Sequence, residues 1–317
     1  MVINSTHVSV MLDRCIDLLT PAIESTLNPV IVDATLGLGG HSESLLARFP
    51  NLTVIGIDRD ADALARATAR LAPFANRLHT AHATFDSIGE IVQSFGYSQI
   101  TGALFDLGVS SMQLDETNRG FSYSHEAPLD MRMDRTQSLT AAQIVNTYEP
   151  GQLVRILRTY GEEKFATRVV ESIVKARAIA PLNSTTELAT LIKNAIPAAT
   201  RRTGGNPAKR SFQALRIETN DELGAITRAL PAALQLLSVG GRLVVMSFQS
   251  LEDRIVKDLF LASTTSGTPR DLPFELPEYA AKFSLVIRGS ETPRAQELEE
   301  NSRSASVRLR AIERVAA

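Results

Sequence analysis

A carboxylate closes three separate apolar runs of this chain, and a turn follows each one. The first lies in Asp33-Ala34-Thr35-Leu36-Gly37-Leu38-Gly39-Gly40-His41, where the short run Val30-Ile31-Val32 ends at an acid and a glycine-rich turn. Glycines there let a backbone turn sharply and approach a ligand without Cβ clashes. The second is Asp58, 19 residues beyond Gly39 and at the end of the run from Leu52 to Ile57. A carboxylate so placed can accept hydrogen bonds from both hydroxyls of an adenosine ribose, so the spacing predicts a nucleoside site. The third is Asp106, after Ala103-Leu104-Phe105 and before Leu107-Gly108-Val109-Ser110-Ser111. In an open α/β sheet ligands bind beyond the carboxyl ends of the strands, so Asp106 is expected to converge with Gly39 and Asp58. Ser110 and Ser111 also read as helix N-caps.

The glycine turn departs from a dinucleotide fingerprint. That fingerprint, G-x-G-x-x-G, seats a pyrophosphate on a helix N-terminus. Here position 42 is Ser, and His41 adds bulk where a pyrophosphate wants bare backbone. Asp33, before the turn, can hold water or an ammonium group. That suits the methionine moiety of S-adenosylmethionine better than a pyrophosphate. His7, His79, His82 and His125 show no spacing of a metal site.

Elements that alternate in type must hold these residues. Ser42 to Phe49, Ala61 to Leu71 and Ile88 to Phe95 read as helices between apolar runs, with a further strand candidate at Leu78 to Ala83. This β–α–β–α rhythm with short connections argues for a parallel sheet covered on both faces. From Asp115 to Arg135 the chain is polar, aromatic and irregular, and amphipathic helices follow. Leu153, Ile156, Leu157 and Tyr160 share one face, and Phe165, Val169, Val170 and Ile173 share another. Ser184-Thr185-Thr186-Glu187 reads as a capping box. Strand candidates return at Arg242 to Phe248, Phe283 to Ile287 and Val307 to Ile312, with Gly240-Gly241 as a turn. The expected architecture is an α/β domain in two parts, 1–111 and 216–317, split by a mainly helical insertion at 112–215.

Composition sets the outer bounds. The 317 residues carry 33 Lys+Arg against 35 Asp+Glu, a net charge of −2, with 44% hydrophobic and 21% charged residues. That excludes a disordered, collagen-like or disulfide-stapled chain and leaves enough apolar side chains for a sizeable core. The single cysteine, Cys15, cannot form an internal bridge, which predicts a reducing cytoplasm. No apolar run approaches the ~20 residues that span a bilayer, and the first residues lack signal-peptide character.

Several longer motifs resemble the MraW-type methyltransferases, which modify N4 of a cytidine in bacterial small-subunit ribosomal RNA. They are the Asp33 to Ser42 segment, Asp106-Leu107-Gly108-Val109-Ser110-Ser111 with Gln113-Leu114-Asp115, Arg119-Gly120-Phe121-Ser122, Leu129-Asp130-Met131-Arg132-Met133-Asp134, Gly161-Glu162-Glu163, Phe212 to Ile217 and Ser250-Leu251-Glu252-Asp253-Arg254. The resemblance runs from His7 to about Arg310 in one order. It implies a Rossmann-like methyltransferase domain with S-adenosylmethionine as donor, and cofactor contacts at Gly39, Gly40, His41, Asp58, Phe85, Asp106 and Gln113. It implies the small ribosomal subunit and its 16S RNA as partner, with no metal and no membrane; a homodimer is compatible with it. Asp106 is the expected catalytic acceptor, with Ser110 or Asp130 assisting. Departures occur at Gln249, where the family usually has His, at Ser9, where it usually has Pro, and in Asn301-Ser302-Arg303-Ser304-Ala305-Ser306, which lacks one arginine of the family pattern.

Two cationic stretches point to RNA. Between Pro197 and Ile217 the chain has Arg201, Arg202, Lys209, Arg210 and Arg216 and no acid, around a loop-like Gly204-Gly205-Asn206-Pro207. Arg119, Phe121, Tyr123, Arg132 and Arg135 mix guanidinium groups with rings, a combination that stacks and clamps single-stranded nucleotides. A solvated loop and a packed Phe121 are the plainer readings. A nicotinamide-dependent oxidoreductase would share the glycine turn, and a non-catalytic ribosome-assembly factor would share the RNA surface.

Overall fold

The computed structural model describes residues 9–198, 206–269, 276 and 279–317. Contacts divide the chain into two compact units, Met1–Gly108 with Gly224–Ala317, and Val109–Leu223.

The first unit is built on a seven-stranded sheet: β1 (Val30–Asp33), β2 (Thr53–Asp58), β3 (Leu78–His82), β4 (Ile100–Asp106), β5 (Leu237–Ser247), β6 (Phe283–Leu285) and β7 (Arg308–Arg314). Their order is β3-β2-β1-β4-β5-β7-β6. The β1–β2, β1–β4, β2–β3 and β4–β5 pairs are parallel, while β7 runs antiparallel to both β5 and β6. All four residues of β1 are buried, as expected of a central parallel strand covered on both faces. The chain winds outward from β1 to β3 and then resumes on the other side at β4. The switch point therefore lies between β1 and β4, where such sheets bind ligands.

Helices α1 (Leu12–Glu24), α2 (Gly40–Arg48), α3 (Ala61–Arg70) and α4 (Ile88–Ser94) belong to this unit. Asp60 caps α3 by accepting from the Asp62 N–H at 3.1 Å. The reading of the sequence did not include α1. Its buried Cys15, Ile16, Leu18, Leu19, Ala22 and Ile23 follow helical spacing, although Pro21 lies inside. Cys15, Ile16, Leu18, Leu19 and Ile23 join Leu45, Leu46, Leu104, Val244 and Met246 in one core. Gly240-Gly241 lies inside β5 but at a break in its ladder: pairing with β4 passes from Leu237 to Arg242 across a register shift, and Gly240 has φ +83, so the expected turn is a bulge after which the β run resumes at Arg242.

The second unit is mainly helical: α5 (Ser111–Asp115), α6 (Ala141–Thr147), α7 (Pro150–Thr159), α8 (Ala166–Arg177), α9 (Thr185–Ala195) and α10 (Lys209–Asn220). The expected boundary at 215 cuts through α10. Phe212, Ala214 and Leu215 are buried with Leu153, Val169 and Leu188, and the Asn220 amide bonds the Met131 carbonyl and the Met133 N–H at 2.8 Å each. The last turn of α10 is thus tied into the insertion. The capping box expected at Ser184 does not form, although α9 starts there. The Ser184 hydroxyl meets that of Thr186 at 3.0 Å instead. Capping boxes with Gln at N3 open α5 at Ser110 and α6 at Thr140.

Candidate functional site

The three acids found in the sequence close β1, β2 and β4, at the carboxyl ends of neighbouring strands of the first unit. Each is held by its own contacts. Asp33 is buried; its Oδ2 accepts from the Ser42 hydroxyl at 2.6 Å and its Oδ1 from the Thr35 N–H at 3.3 Å. Asp58 is half-buried and accepts the Gly37 N–H at 2.7 Å and the Asp60 N–H at 2.8 Å, one on each oxygen. The Asp106 N–H donates to the Thr35 hydroxyl at 2.7 Å, across from β4 to the turn after β1. Beyond Asp33 the first strand leaves the sheet, and the Thr35 hydroxyl stands in for a strand carbonyl.

Crowding these anions in a poorly solvated pocket opposes their ionisation. Burial pushes the Asp33 and Asp58 carboxyls up to about 6. Burial, with the Asp33 and Glu252 charges added, pushes Asp106 up to about 7. Such a site favours a cation, and Asp58 keeps further lone pairs for a diol. Gly39 has φ +79, a left-handed backbone that disfavours any side chain, and a Cβ there would press on Leu71 at 3.0 Å, so the turn packs tightly on α3. Phe85 follows β3, half-exposed, and meets the Phe105 ring edge-to-face at 5.6 Å between centroids. A cationic adenosine derivative fits this donor set.

Other residues of the same stretch serve the fold. His41 is buried, with Nε2 on the Val10 carbonyl at 3.1 Å, and burial draws its imidazole down to about 4. It is a neutral core residue with one ring nitrogen already engaged. At Gly40 a Cβ would meet the Ser9 hydroxyl, the rotatable end of a short side chain. Gln249 holds Glu252 through its Nε2 at 3.0 Å, and Glu252 also accepts the Phe248 N–H at 2.8 Å.

The remaining expected site residues lie in the second unit. Ser110 accepts the Gln113 N–H at 3.2 Å, and the Gln113 side chain accepts the Ser110 N–H at 3.1 Å. Both side chains therefore open α5. Asp130 is chelated by Arg132 at 2.7 and 2.9 Å, and that pairing holds its carboxyl below the usual range despite partial burial. Asp130, expected to assist Asp106, is one half of an ion pair with Arg132. Arg132 Nη1 donates to the Arg135 and Gln137 carbonyls at 3.1 and 2.7 Å. Arg119, expected at the RNA, is only 3% exposed, and its guanidinium donates to the Arg132 and Met133 carbonyls. It braces the irregular segment from inside and is not available to phosphates. Phe121 is buried, and Tyr123 packs edge-to-face on Phe212. Lys209 and Arg210 are exposed on the first turn of α10, not in a loop, and Arg216 pairs with Glu222 at 2.8 Å. Arg201 and Arg202 lie outside the described residues.

Sequence reasoning missed Thr35, Ser42 and Glu252. A hydroxyl where a dinucleotide site would have its third glycine was the available signal for Ser42. Nothing local marked the Thr35 contact, which spans 71 positions.

The family model for the MraW methylase family matches residues 4–315. A protein of Saccharopolyspora erythraea named ribosomal RNA small subunit methyltransferase H is 56% identical over 98% of this chain and 93% of its own length. A protein of the same name from Streptomyces avermitilis is 50% identical over 98% of each chain. Among solved structures, an rRNA methylase from Streptococcus thermophilus aligns over 98% of this chain and 99% of its own, at 12% identity and a TM-score of 0.44.

Proposed function

The chain belongs to the MraW methylase family, and we propose that it transfers a methyl group from S-adenosylmethionine to the N4 exocyclic amine of a cytidine in the 16S RNA of the small ribosomal subunit, in the cytoplasm. The observation that carries this reading is the set of three strand-end carboxylates, Asp33, Asp58 and Asp106, around the glycine turn at the switch point. S-adenosylmethionine supplies a methyl carried on a cationic sulfur. Asp58 accepts the ribose hydroxyls, and Phe85 packs on the adenine. Asp33 and Asp106 provide the negative field that a sulfonium and its neighbouring ammonium prefer to water.

Cytosine N4 is a weak nucleophile because its lone pair is delocalised into the ring. An acceptor for its N–H groups helps localise that lone pair, and orientation supplies much of the remaining rate. In this reading Asp106 takes that role. Its carboxyl, raised to about 7, can take the proton that the amine loses at a physiological pH. The cytidine must be unpaired or flipped to present its amine. The insertion contributes RNA contacts through the exposed Lys209 and Arg210 and through Arg201 and Arg202.

The test is calorimetric titration with S-adenosylmethionine and with NAD, followed by methyl transfer to small ribosomal subunits. Binding of the first alone, and a methylated cytidine located by mass spectrometry, is the expected result. Binding of NAD in its place would return the site to the oxidoreductase reading.

A further inference from the structure

The carboxyl end of the sheet carries a second feature, on the β7 side of the first unit. Arg310 of β7 pairs with Asp253 of the helix Ser250–Ser263 at 2.7 and 3.0 Å, and its Nη1 donates to the Gly289 carbonyl at 2.7 Å. That guanidinium therefore staples three segments together: β7, the helix after β5 and the loop after β6. Each segment presents an exposed cation beside the staple. Arg254 follows Asp253, Arg288 precedes Gly289, and Arg308 lies two residues before Arg310 on the same face of β7. Lys257, one helical turn beyond Asp253, is exposed as well. Arg308 is the register partner of Ser247, the last residue of β5, so the group lies at the ligand-binding end of the sheet.

None of these four cationic heads has a carboxylate partner among the described residues. The acids around them are largely committed. Asp253 belongs to Arg310, Glu291 to Arg14 at 2.7 Å, and Glu313 to Arg242 at 2.8 Å. Glu252 is buried under the Phe248 and Gln249 amides. Asp258 is exposed on the same helix, one turn beyond Arg254, without an ion pair to it. A chain of net charge −2 gains nothing for its own fold from like charges gathered this way. Such a cluster does favour a polyanion, and the planar forks of three arginines favour one with bidentate acceptors such as phosphates.

We propose that Arg254, Lys257, Arg288 and Arg308 form a phosphate-binding track for the RNA substrate on the α/β unit itself. This rests on the reading of the protein as an RNA methyltransferase. The track holds the backbone that flanks the target nucleotide. It supplies affinity and position, whereas the choice of base lies elsewhere.

The experiment replaces Arg254, Arg288 and Arg308 by Gln in the full-length protein. It then measures binding to 16S RNA over a salt series, the KM and kcat of methyl transfer, and S-adenosylmethionine affinity. Each phosphate contact on a single strand contributes ~0.7 to the log–log salt slope, so the triple variant should lose about 2 from it. Its KM for RNA should rise about tenfold or more, with donor affinity unchanged within about twofold. A thermal melt establishes that the variant is folded. Arg308→Lys, which keeps the charge, should retain most of the slope. Wild-type salt slope and KM in the triple variant would overturn the track. So would weaker binding with an unchanged slope, because the lost contacts would then not be to phosphates. If the wild type neither binds nor methylates the RNA, the functional reading itself has failed, a result distinct from either of these.

Discussion

Replacing Asp106 by Asn should stabilise the donor-free protein at alkaline pH while removing its activity. The carboxyl titrates near 3.8 in an unfolded chain and at about 7 in the folded one. Between those values the folded state holds a proton that the unfolded state has released. The contribution of Asp106 to stability is therefore full below pH ~4 and is lost as pH rises through about 7. The displacement corresponds to about 4 kcal/mol at ~1.4 kcal/mol per unit. Asp106 is only half-buried, and solvent screening reduces the expected effect to about 2 kcal/mol. The Asp106→Asn side chain is nearly isosteric and neutral, and the N–H bond to the Thr35 hydroxyl is a backbone bond that survives the change. At pH 8 the variant should melt about 4–8 °C above the wild type, at about 2–4 °C per kcal/mol, and at pH 4 the two should coincide. Methyl transfer at saturating donor and RNA should fall about 10²-fold or more, the scale of a lost general base. Calorimetric melts at both pH values and single-turnover assays check this. A variant no more stable than the wild type at pH 8, or equally stabilised at both pH values, would refute the claim that this carboxylate is held against its ionisation.

Asp58→Ala should weaken S-adenosylmethionine binding by about tenfold or more, since a hydrogen bond to a charged acceptor contributes ~1.5–3 kcal/mol; unchanged affinity in titration would mean the donor sits elsewhere. Thr35→Val should lower kcat by leaving the Asp106 N–H without its acceptor, and Thr35→Ser should restore it. In an Asp106→Asn background the valine change should add little, and additive losses would show that Thr35 acts by some other route. Replacing Arg201, Arg202, Lys209 and Arg210 by Ala should flatten the salt dependence of RNA binding without moving the methylated nucleotide, as read by binding constants over a salt series. Parallel lines of equal affinity would show that these cations only solvate their segment.

The strand ends and the glycine turn were legible in the sequence because they are local. A parallel strand buried on both faces is written as a continuous apolar run, and the acid that ends it follows directly. Val30 to Asp33, the run to Asp58 and the run to Asp106 all had that form, and the helices between them had ordinary periodicity. The insertion showed itself through the same periodicity, but its boundary did not. Only the Asn220 amide on the Met131 and Met133 backbone ties the end of α10 to it. Charge alone did not separate working cations from structural ones. Arg119 and Arg132 read as RNA ligands until burial and the Asp130 pairing removed them, whereas Arg254, Arg288 and Arg308 lie far apart in sequence and gather only around Arg310. Residue type and spacing determine which groups this chain owns and where each strand delivers them. Whether a group is solvated, paired or pressed against another charge depends on contacts between distant segments. Those contacts, through desolvation and Coulomb repulsion, are what raise Asp106 to a useful basicity.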